Sequence, residues 1–215
     1  MQVWTSLRTS KNWKDLKKPL GIILHPLVHI GSAVPLLVGL WDFWQRNLGA
    51  NPILEITHRT GKTAILLLIL SLAVSPLRLL LKWNQLNKLR RPLGLWAAFY
   101  AGVHFSIYVV LDYGFQWKAL IANSLTNPFI WFGFTTGLIF LALSITSLTF
   151  FLKKMGKNWK KLHRFVYAAG ILAALHFILA VKPGVLRPWP YALVMALLLL
   201  FRLPPVQAWV KKRMK

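Results

Sequence analysis

Six apolar stretches separated by short polar segments constrain the fold of this 215-residue chain more than any other feature of its sequence. A helix rises about 1.5 Å per residue, so about 20 apolar residues cross a hydrocarbon core about 30 Å thick. Backbone inside that core must satisfy its own hydrogen bonds, as a helix does. The sequence therefore predicts an all-α, polytopic membrane helix bundle. Its six expected transmembrane helices cover about residues 19–41, 62–81, 93–112, 129–151, 162–181 and 189–204.

The distribution of basic residues orients these helices. Most of the 27 lysines and arginines lie before the first stretch or after the second, fourth and sixth. Basic residues concentrate on the cytoplasmic side, so both termini are predicted to be cytoplasmic in a multi-pass protein of the bacterial inner membrane. The expected organisation is a basic cytoplasmic segment (1–18), one transmembrane domain (19–204) and a basic cytoplasmic tail (205–215). Because the net charge of +23 falls in short clusters, membrane lipid and not nucleic acid is the expected surface.

The residues that are absent limit the chemistry. The chain has no cysteine, which excludes disulfides, iron–sulfur clusters, thiolate metal sites and covalent haem attachment. It has only four acidic residues, too few for a di-iron carboxylate site together with other roles. No glycine-rich dinucleotide or Walker pattern occurs. Chemistry inside the membrane is therefore expected to come from histidine.

Two histidines on different predicted helices lie at matching depth. His104 is 13 residues beyond Arg91, and His176 is 12 residues beyond Arg164. Both positions are roughly 18–20 Å past the last basic residue on the cytoplasmic side. This arrangement suits two axial ligands of one haem. The alternative is that each imidazole bonds a neighbouring hydroxyl or carbonyl group.

A third histidine, His163, lies at the expected cytoplasmic edge, about 20 Å from His176 along the same helix. It suits a second cofactor and hence a two-step path across the bilayer, with Arg164 holding propionates or a flavin phosphate. Thirteen residues fall about 140° short of four full turns, so an ideal helix points the two imidazoles in different directions. Either two cofactors approach from different sides, or the helix bends, and Gly170 between them permits either.

The remaining candidates are weaker. His25 and His29 are four residues apart and so share a helix face, a spacing that can bind a metal, although no carboxylate assists. His58 and Arg59 lie at the expected outer end, where they suit haem propionates, a docking partner or ordinary interface anchoring. The small-residue segment "GFTTG" at 133–137 is interpreted as a helix-packing contact.

Three segments together resemble the MsrQ/YedZ family of haem-binding membrane subunits. They are "EITHRTGKTA" at 55–64, "RRPLGLWAAFYAGVH" at 90–104 and "GKNWKKLHRFVYAAGILAALH" at 156–176, and the resemblance covers roughly 20–205. It implies a ferric-reductase-like transmembrane domain that carries b-type haem and FMN. It also implies electron delivery to a periplasmic molybdopterin-containing methionine sulfoxide reductase, with electrons supplied by the quinone pool or a cytoplasmic flavin reductase.

The resemblance also implies residue roles. His104, His163 and His176 match the haem-associated histidines of the family, and His29 and His58 fall on matching motifs. In the wider ferric reductase and NADPH oxidase group, two helices carry two histidines each. Here an arginine stands thirteen residues before His104, so the number of haems, one or two, stays open.

Three functions are consistent with these features. The first is an electron-transfer subunit of an oxidoreductase complex, which carries electrons across the membrane through haem. The second is the membrane domain of a ferric or other metal reductase. The third, from another class, is a small transporter that uses histidine as a proton relay. Such relays usually recruit intramembrane carboxylates, which are scarce in this chain.

Overall fold

The computed structural model describes residues 13–182 and 184–213, and all regular structure within them is helical. A 3₁₀ segment, Asn84–Leu89, leads into the helix α3 (Arg90–Ser106), and a π-helical segment, Ile107–Asp112, continues that helix. The predicted terminal segments are described only in part, because 1–12 and 214–215 lie outside those residues. The helices are α1 Trp13–Trp44, α2 Pro52–Leu80, α3 Arg90–Ser106, α4 Trp117–Thr126, α5 Pro128–Thr146, α6 Thr149–Met155, α7 Lys157–His163, α8 Phe165–Ala180, α9 Trp189–Leu200 and α10 Pro204–Arg213.

The predicted polytopic helix bundle is confirmed. Five helical stretches within the described residues are long and apolar enough to cross a membrane, and a bent pair makes up to six. The bent pair joins Trp189–Leu200 to Pro204–Val210 at 79°. The last span therefore ends earlier than predicted, and Pro204 starts the next helix, where its missing N–H costs nothing. The five single spans are Ile23–Trp44, Pro52–Leu80, Asn84–Asp112, Pro128–Thr146 and Lys157–Ala180.

Local sequence signals fix the start of α2. The Asn51 side chain accepts a hydrogen bond from the Leu54 amide at 3.1 Å and so caps the helix. Pro52 occupies the first turn, where no amide hydrogen is needed, and Glu55 complements the positive end of the helix dipole. These signals set the register of the following residues, which line the candidate site.

The core of the bundle lies along α2. Leu68 on α2 and Ala97 on α3 are completely buried, and both belong to one continuous apolar cluster. The most extensive packing pairs α2 with α3 and α5 with α8, and α9 packs against α2 and α8. In contrast, residues 23–44 of α1 leave most of their apolar side chains exposed. That pattern suits a helix that faces lipid.

A tyrosine hydroxyl joins α1 to α3. Tyr100 is 1% exposed, donates to the Ser32 carbonyl at 2.7 Å and accepts from the Leu36 amide at 3.0 Å. These two backbone groups are four residues apart and flank Pro35, whose ring disturbs helical pairing. The hydroxyl satisfies both groups where water is excluded, so α1 continues through the proline.

Candidate functional site

His104 lies on α3 and faces α2. Its Nδ1 atom is 2.9 Å from the carbonyl oxygen of Thr57, one turn before Gly61 on α2. A Cβ atom added to Gly61 would lie 3.0 Å from both Cε1 and Nδ1 of the ring. The glycine thus leaves the space that the imidazole occupies.

His176 on α8 repeats this arrangement against α5. Its Nδ1 atom is 2.7 Å from the carbonyl oxygen of Phe129. A Cβ atom added to Gly133 would lie 2.7 Å from Nδ1 and 2.8 Å from Cε1 of the ring, closer than real Cβ contacts. Gly133 is therefore required for the observed position of the ring.

The two arrangements are equivalent in sequence as well as in space. Each hydrogen bond joins residues 47 apart. Phe129, Gly133 and His176 each lie 72 residues after their counterparts on the other helix pair. The helix pairs α2–α3 and α5–α8 therefore present one carbonyl–histidine–glycine unit each to the centre of the bundle.

The imidazole rings of His104 and His176 lie next to each other. The ring centroids of His104 and His176 are 6.1 Å apart, and the ring planes are inclined by 86°. A carbonyl oxygen only accepts hydrogen bonds, so Nδ1 of each ring carries the hydrogen. In a neutral imidazole, Nε2 then keeps the lone pair that binds metals. A histidine that bonds a carbonyl can therefore also bind a metal, because the carbonyl occupies Nδ1 and leaves Nε2 available.

The spacing suits one metal ion bound from both sides. Metal–imidazole bonds of about 2.0–2.1 Å, as for zinc, hold two nitrogens about 4 Å apart and the ring centres somewhat farther. The observed centroid separation of 6.1 Å agrees with that spacing. The described residues therefore fit a haem iron, which His104 and His176 would hold through their Nε2 atoms.

His163 lies in a different environment. Its Nε2 atom is 3.2 Å from the Thr146 hydroxyl, and its ring stacks on Trp159 with the ring centroids 3.9 Å apart. The contact involves Nε2, whereas the other two histidines use Nδ1. The part of His163 in a second cofactor site stays a prediction.

The helix that carries His163 is interrupted at Arg164, where α7 ends and α8 begins. Gly170, the expected point of bending, instead lies within α8 and packs closely. A Cβ atom there would be 2.8 Å from the Met195 sulfur. The interruption falls at the basic residue, so His163 and His176 belong to separate helical segments. Arg164 itself is exposed, and its predicted role toward propionates or a flavin phosphate stays a prediction.

The polar residues at the start of α2 lie close to His104. His58 follows Thr57 and is exposed. Arg59 forms ion pairs with Asp42 on α1 and, at 2.7 Å, with Glu55 one turn earlier. These pairs use Nε and Nη1 and leave donors on Nη2, since a guanidinium has five N–H groups. A contact of His58 or Arg59 with a propionate or a partner stays a prediction.

A cleft of about 440 Å³ opens beside the remaining histidines, between α1 and α3. The Trp96 indole donates to Nδ1 of His29 at 3.1 Å, and the ring centroids of His25 and His29 are 5.0 Å apart. An indole N–H only donates, so a neutral His29 carries its hydrogen on Nε2. One nitrogen of His29 is therefore engaged by the tryptophan and the other is a donor. The cleft is lined by His25, His29, Arg91, Pro92, Leu95, Trp96 and Phe99.

Sequence reasoning missed the residues that hold the imidazoles in place. Gly133 belongs to the segment interpreted as a helix contact, and Gly61 attracted no interpretation. The carbonyls of Thr57 and Phe129 are backbone groups and leave no residue-type signature. A signal was nevertheless present, because a glycine precedes each histidine by 43 residues.

Comparison with known proteins places this architecture in a family. The family described as "Ferric reductase like transmembrane component" matches residues 60–174, which carry His104 and His163 and end two residues before His176. A protein of Xanthomonas oryzae pv. oryzae, "Protein-methionine-sulfoxide reductase heme-binding subunit MsrQ", is 38% identical over 196 residues, covering 88% of each chain. The chain belongs to the MsrQ family of ferric-reductase-like membrane proteins.

Two further relatives with the same protein name support membership in this family. The one from Xanthomonas axonopodis pv. citri is 40% identical over 182 residues, covering 82% of this chain and 84% of the relative. The one from Pectobacterium carotovorum subsp. carotovorum is 38% identical over 187 residues, covering 86% of this chain and 94% of the relative. Together with the apolar helices, the family confirms a multi-pass protein of the bacterial inner membrane.

Proposed function

We propose that this chain is a haem-binding electron-transfer subunit that carries electrons across the inner membrane to a methionine sulfoxide reductase. The observation that carries the proposal is the pair of imidazoles, His104 and His176, facing each other with both Nδ1 atoms bound to carbonyls. The relatives named as haem-binding subunits support the cofactor and the partner. The proposed acceptor is a periplasmic molybdopterin-containing enzyme that repairs oxidised proteins. FMN stays an expectation that rests on the resemblance alone.

The protein's contribution is to place and isolate the cofactor. Bound b-type haem supplies a one-electron redox centre within the bilayer. His104 and His176 hold it through Nε2, while the carbonyls of Thr57 and Phe129 fix the ring orientations and raise the basicity of the ligating nitrogens. The Phe129 ring, 5.7 Å from the His176 ring, helps to exclude water from this site.

The cleft between α1 and α3 supports quinol as the electron donor. Its volume of about 440 Å³ and its aromatic walls suit a small ring compound that arrives through lipid. Nε2–H of His29 donates to a quinol oxygen, and the exposed His25 accepts a proton. Oxidation to the quinone releases two protons, one to His25 and the other to water at the open side of the cleft, and two electrons that would pass to the haem one at a time. Trp96 lies eight residues before His104, about 12 Å along α3, so the electrons are released near the imidazole pair. A cytoplasmic flavin reductase is the alternative donor.

The experiment that tests this function is spectroscopy of the purified full-length protein. We expect a reduced-minus-oxidised spectrum of b-type haem, extractable haem, and reduction by a soluble quinol as well as by dithionite. His29→Gln is expected to slow quinol-driven reduction about tenfold, because a donor to the quinol oxygen is lost, and to leave dithionite reduction unchanged. A colourless preparation from haem-replete cells contradicts the haem proposal. Equal quinol rates in both proteins contradict only the location of the quinol site.

The direction of transfer depends on orientation. We propose that both termini are cytoplasmic, which the distribution of basic residues supports, and which requires that the bent pair forms a sixth crossing. A periplasm-specific reporter inserted near Lys118, at the start of α4, is expected to be active. The same reporter near Lys157, at the start of α7, is expected to be silent. The reverse pattern would invert the proposed direction.

A further inference from the structure

Three arginines from three helices converge at the end of the bundle opposite Asp42 and Glu55. They are Arg78 near the end of α2, Arg90 at the start of α3 and Arg202 just after α9. All three are partly buried, and electrostatic repulsion acts between Arg90 and each of the other two. No acidic side chain among those the structure describes pairs with any of them. Uncompensated positive charges are therefore gathered in a region of low dielectric, which is costly without an anion.

The hydrogen bonds of these arginines satisfy only part of their donors. Arg202 donates to the Leu72 carbonyl at 2.8 Å and lies over the Tyr167 ring, and Arg90 donates to the Ser75 hydroxyl. Arg202 also donates to the Tyr167 hydroxyl at 3.3 Å. None of these partners carries a negative charge that compensates a guanidinium. The charges therefore stay unbalanced even where a donor is paired.

Four side-chain N–H donors among the described residues are fully buried without a partner, and all four lie at the end of the bundle where the three arginines converge. They are Nε of Arg78, Arg90 and Arg202 and Nε1 of Trp83. Buried donors are nearly always satisfied, so such a group marks a place that an acceptor occupies in the working protein. An acceptor common to three guanidinium groups is an anion, and phosphate oxygens match the fork of arginine best.

The surroundings specify an amphiphile. Leu77 and Leu203, which adjoin Arg78 and Arg202, are 45% and 47% exposed. A ligand here meets an anion site and an apolar, lipid-facing surface at once. Basic pockets between transmembrane helices have this combination where they bind anionic phospholipids. The cluster is also distinct from the imidazole pair, because Arg90 lies 14 residues before His104, about 21 Å along α3.

We propose that Arg78, Arg90 and Arg202 form a binding site for the headgroup phosphate of an anionic phospholipid. The lipid neutralises the three guanidinium groups and joins α2, α3 and α9 at this end of the bundle. Its acyl chains lie against Leu77 and Leu203. The site does not depend on the identity of the cofactor or of the electron acceptor.

The test uses the full-length protein with its cofactor, purified in neutral detergent and depleted of lipid. Phosphatidylglycerol at roughly 100 times its dissociation constant is expected to raise Tm by about 5–10 °C. Phosphatidylcholine and inorganic phosphate at the same concentration are expected to leave Tm unchanged. A rise with inorganic phosphate as large as with phosphatidylglycerol would contradict a lipid and indicate a site for free anions.

Arg78→Gln is the decisive variant, because the Arg78 side chain has no structural hydrogen bond at Nε to lose. We expect it to weaken phosphatidylglycerol binding about tenfold or more, as for the loss of a hydrogen bond to a charged group. Lys88→Gln is the control, since Lys88 is exposed in the same basic segment and carries the same charge. It is expected to keep the wild-type response.

In the comparison of variants, two outcomes overturn the proposal. One is an equal response to lipid in Arg78→Gln and Lys88→Gln. The other is loss of haem from Arg78→Gln at wild-type protein yield, which would assign the guanidinium to cofactor carboxylates. If Arg78→Gln does not fold, Arg78→Lys keeps the charge without the planar fork, and mass spectrometry of the wild-type protein measures the retained lipid. Absence of anionic lipid from the wild-type protein before the lipid-depletion step contradicts the site.

Discussion

Replacing His104 or His176 by alanine is expected to lower the haem content of the purified protein by more than about 100-fold. Loss of groups that only orient a ligand already costs about 10–100-fold in metal affinity, and these variants remove a ligand itself. The two variants are expected to behave alike, because both imidazoles occupy equivalent positions on their helix pairs. Haem extraction and the dithionite-reduced spectrum, each normalised to protein, measure the effect.

The control for these variants is His25→Ala, which removes the same side chain from α1. His25 lies in the cleft beside His29 and makes no contact with the imidazole pair. It is expected to keep its haem content and its low-spin spectrum. Wild-type haem content in both His104→Ala and His176→Ala would show that the ligand pair is assigned wrongly.

The transmembrane helices could be predicted from the sequence because each one is determined by its own stretch of residues. Hydrocarbon excludes water, so each span must be apolar and long enough, and these two properties are visible in single stretches of residues. The ends of the helices were harder to predict from the sequence. Pro204 was expected to end a helix, yet it starts α10, because proline suits the first turn as well as it ends a preceding helix.

The depths of the histidines were also accessible, because rise per residue converts position into height. His104 and His176 were expected at matching depth, and their rings meet. The direction in which a ring points was not accessible, since it depends on the partner helix. Backbone carbonyls fix both rings, and every residue type offers such a carbonyl. The role of Gly170 likewise depends on tertiary packing, because the residue lies within α8 and serves close contact with Met195.

The arginine cluster illustrates a further limit. In the sequence, clustered basic residues served only to orient the protein in the membrane. The sequence separates Arg202 from the other two by more than one hundred residues, so only the packing of α9 against α2 brings the three together. A residue that orients a span can therefore also build a binding site, and the two roles are separated only by structure.

The second large effect is expected from the glycines that face the imidazoles. Alanine normally stabilises a helix relative to glycine by about 1 kcal/mol. At Gly133 the added methyl group would lie 2.7 Å from Nδ1 of His176, whose hydrogen bond to the Phe129 carbonyl holds the ring in place. The ring must move and that bond must break, so we expect Gly133→Ala to lower haem affinity by about 10–100-fold. Gly61→Ala is expected to have a smaller effect of the same kind, because its closest contact with His104 is 3.0 Å.

The chain provides matched controls for this steric argument. Gly137 lies one turn after Gly133 on α5, and Gly102 lies on the helix that carries His104. A Cβ atom at either position meets nothing within 4 Å. Gly137→Ala and Gly102→Ala are therefore expected to keep the haem and to raise stability by up to about 1 kcal/mol, opposite in sign to the effect at Gly133. Haem content and Tm are measured for all four glycine variants, and they rank the variants by haem loss and by stability. If Gly137→Ala loses as much haem as Gly133→Ala, the glycines act through helix flexibility and not through the space they leave for the imidazoles.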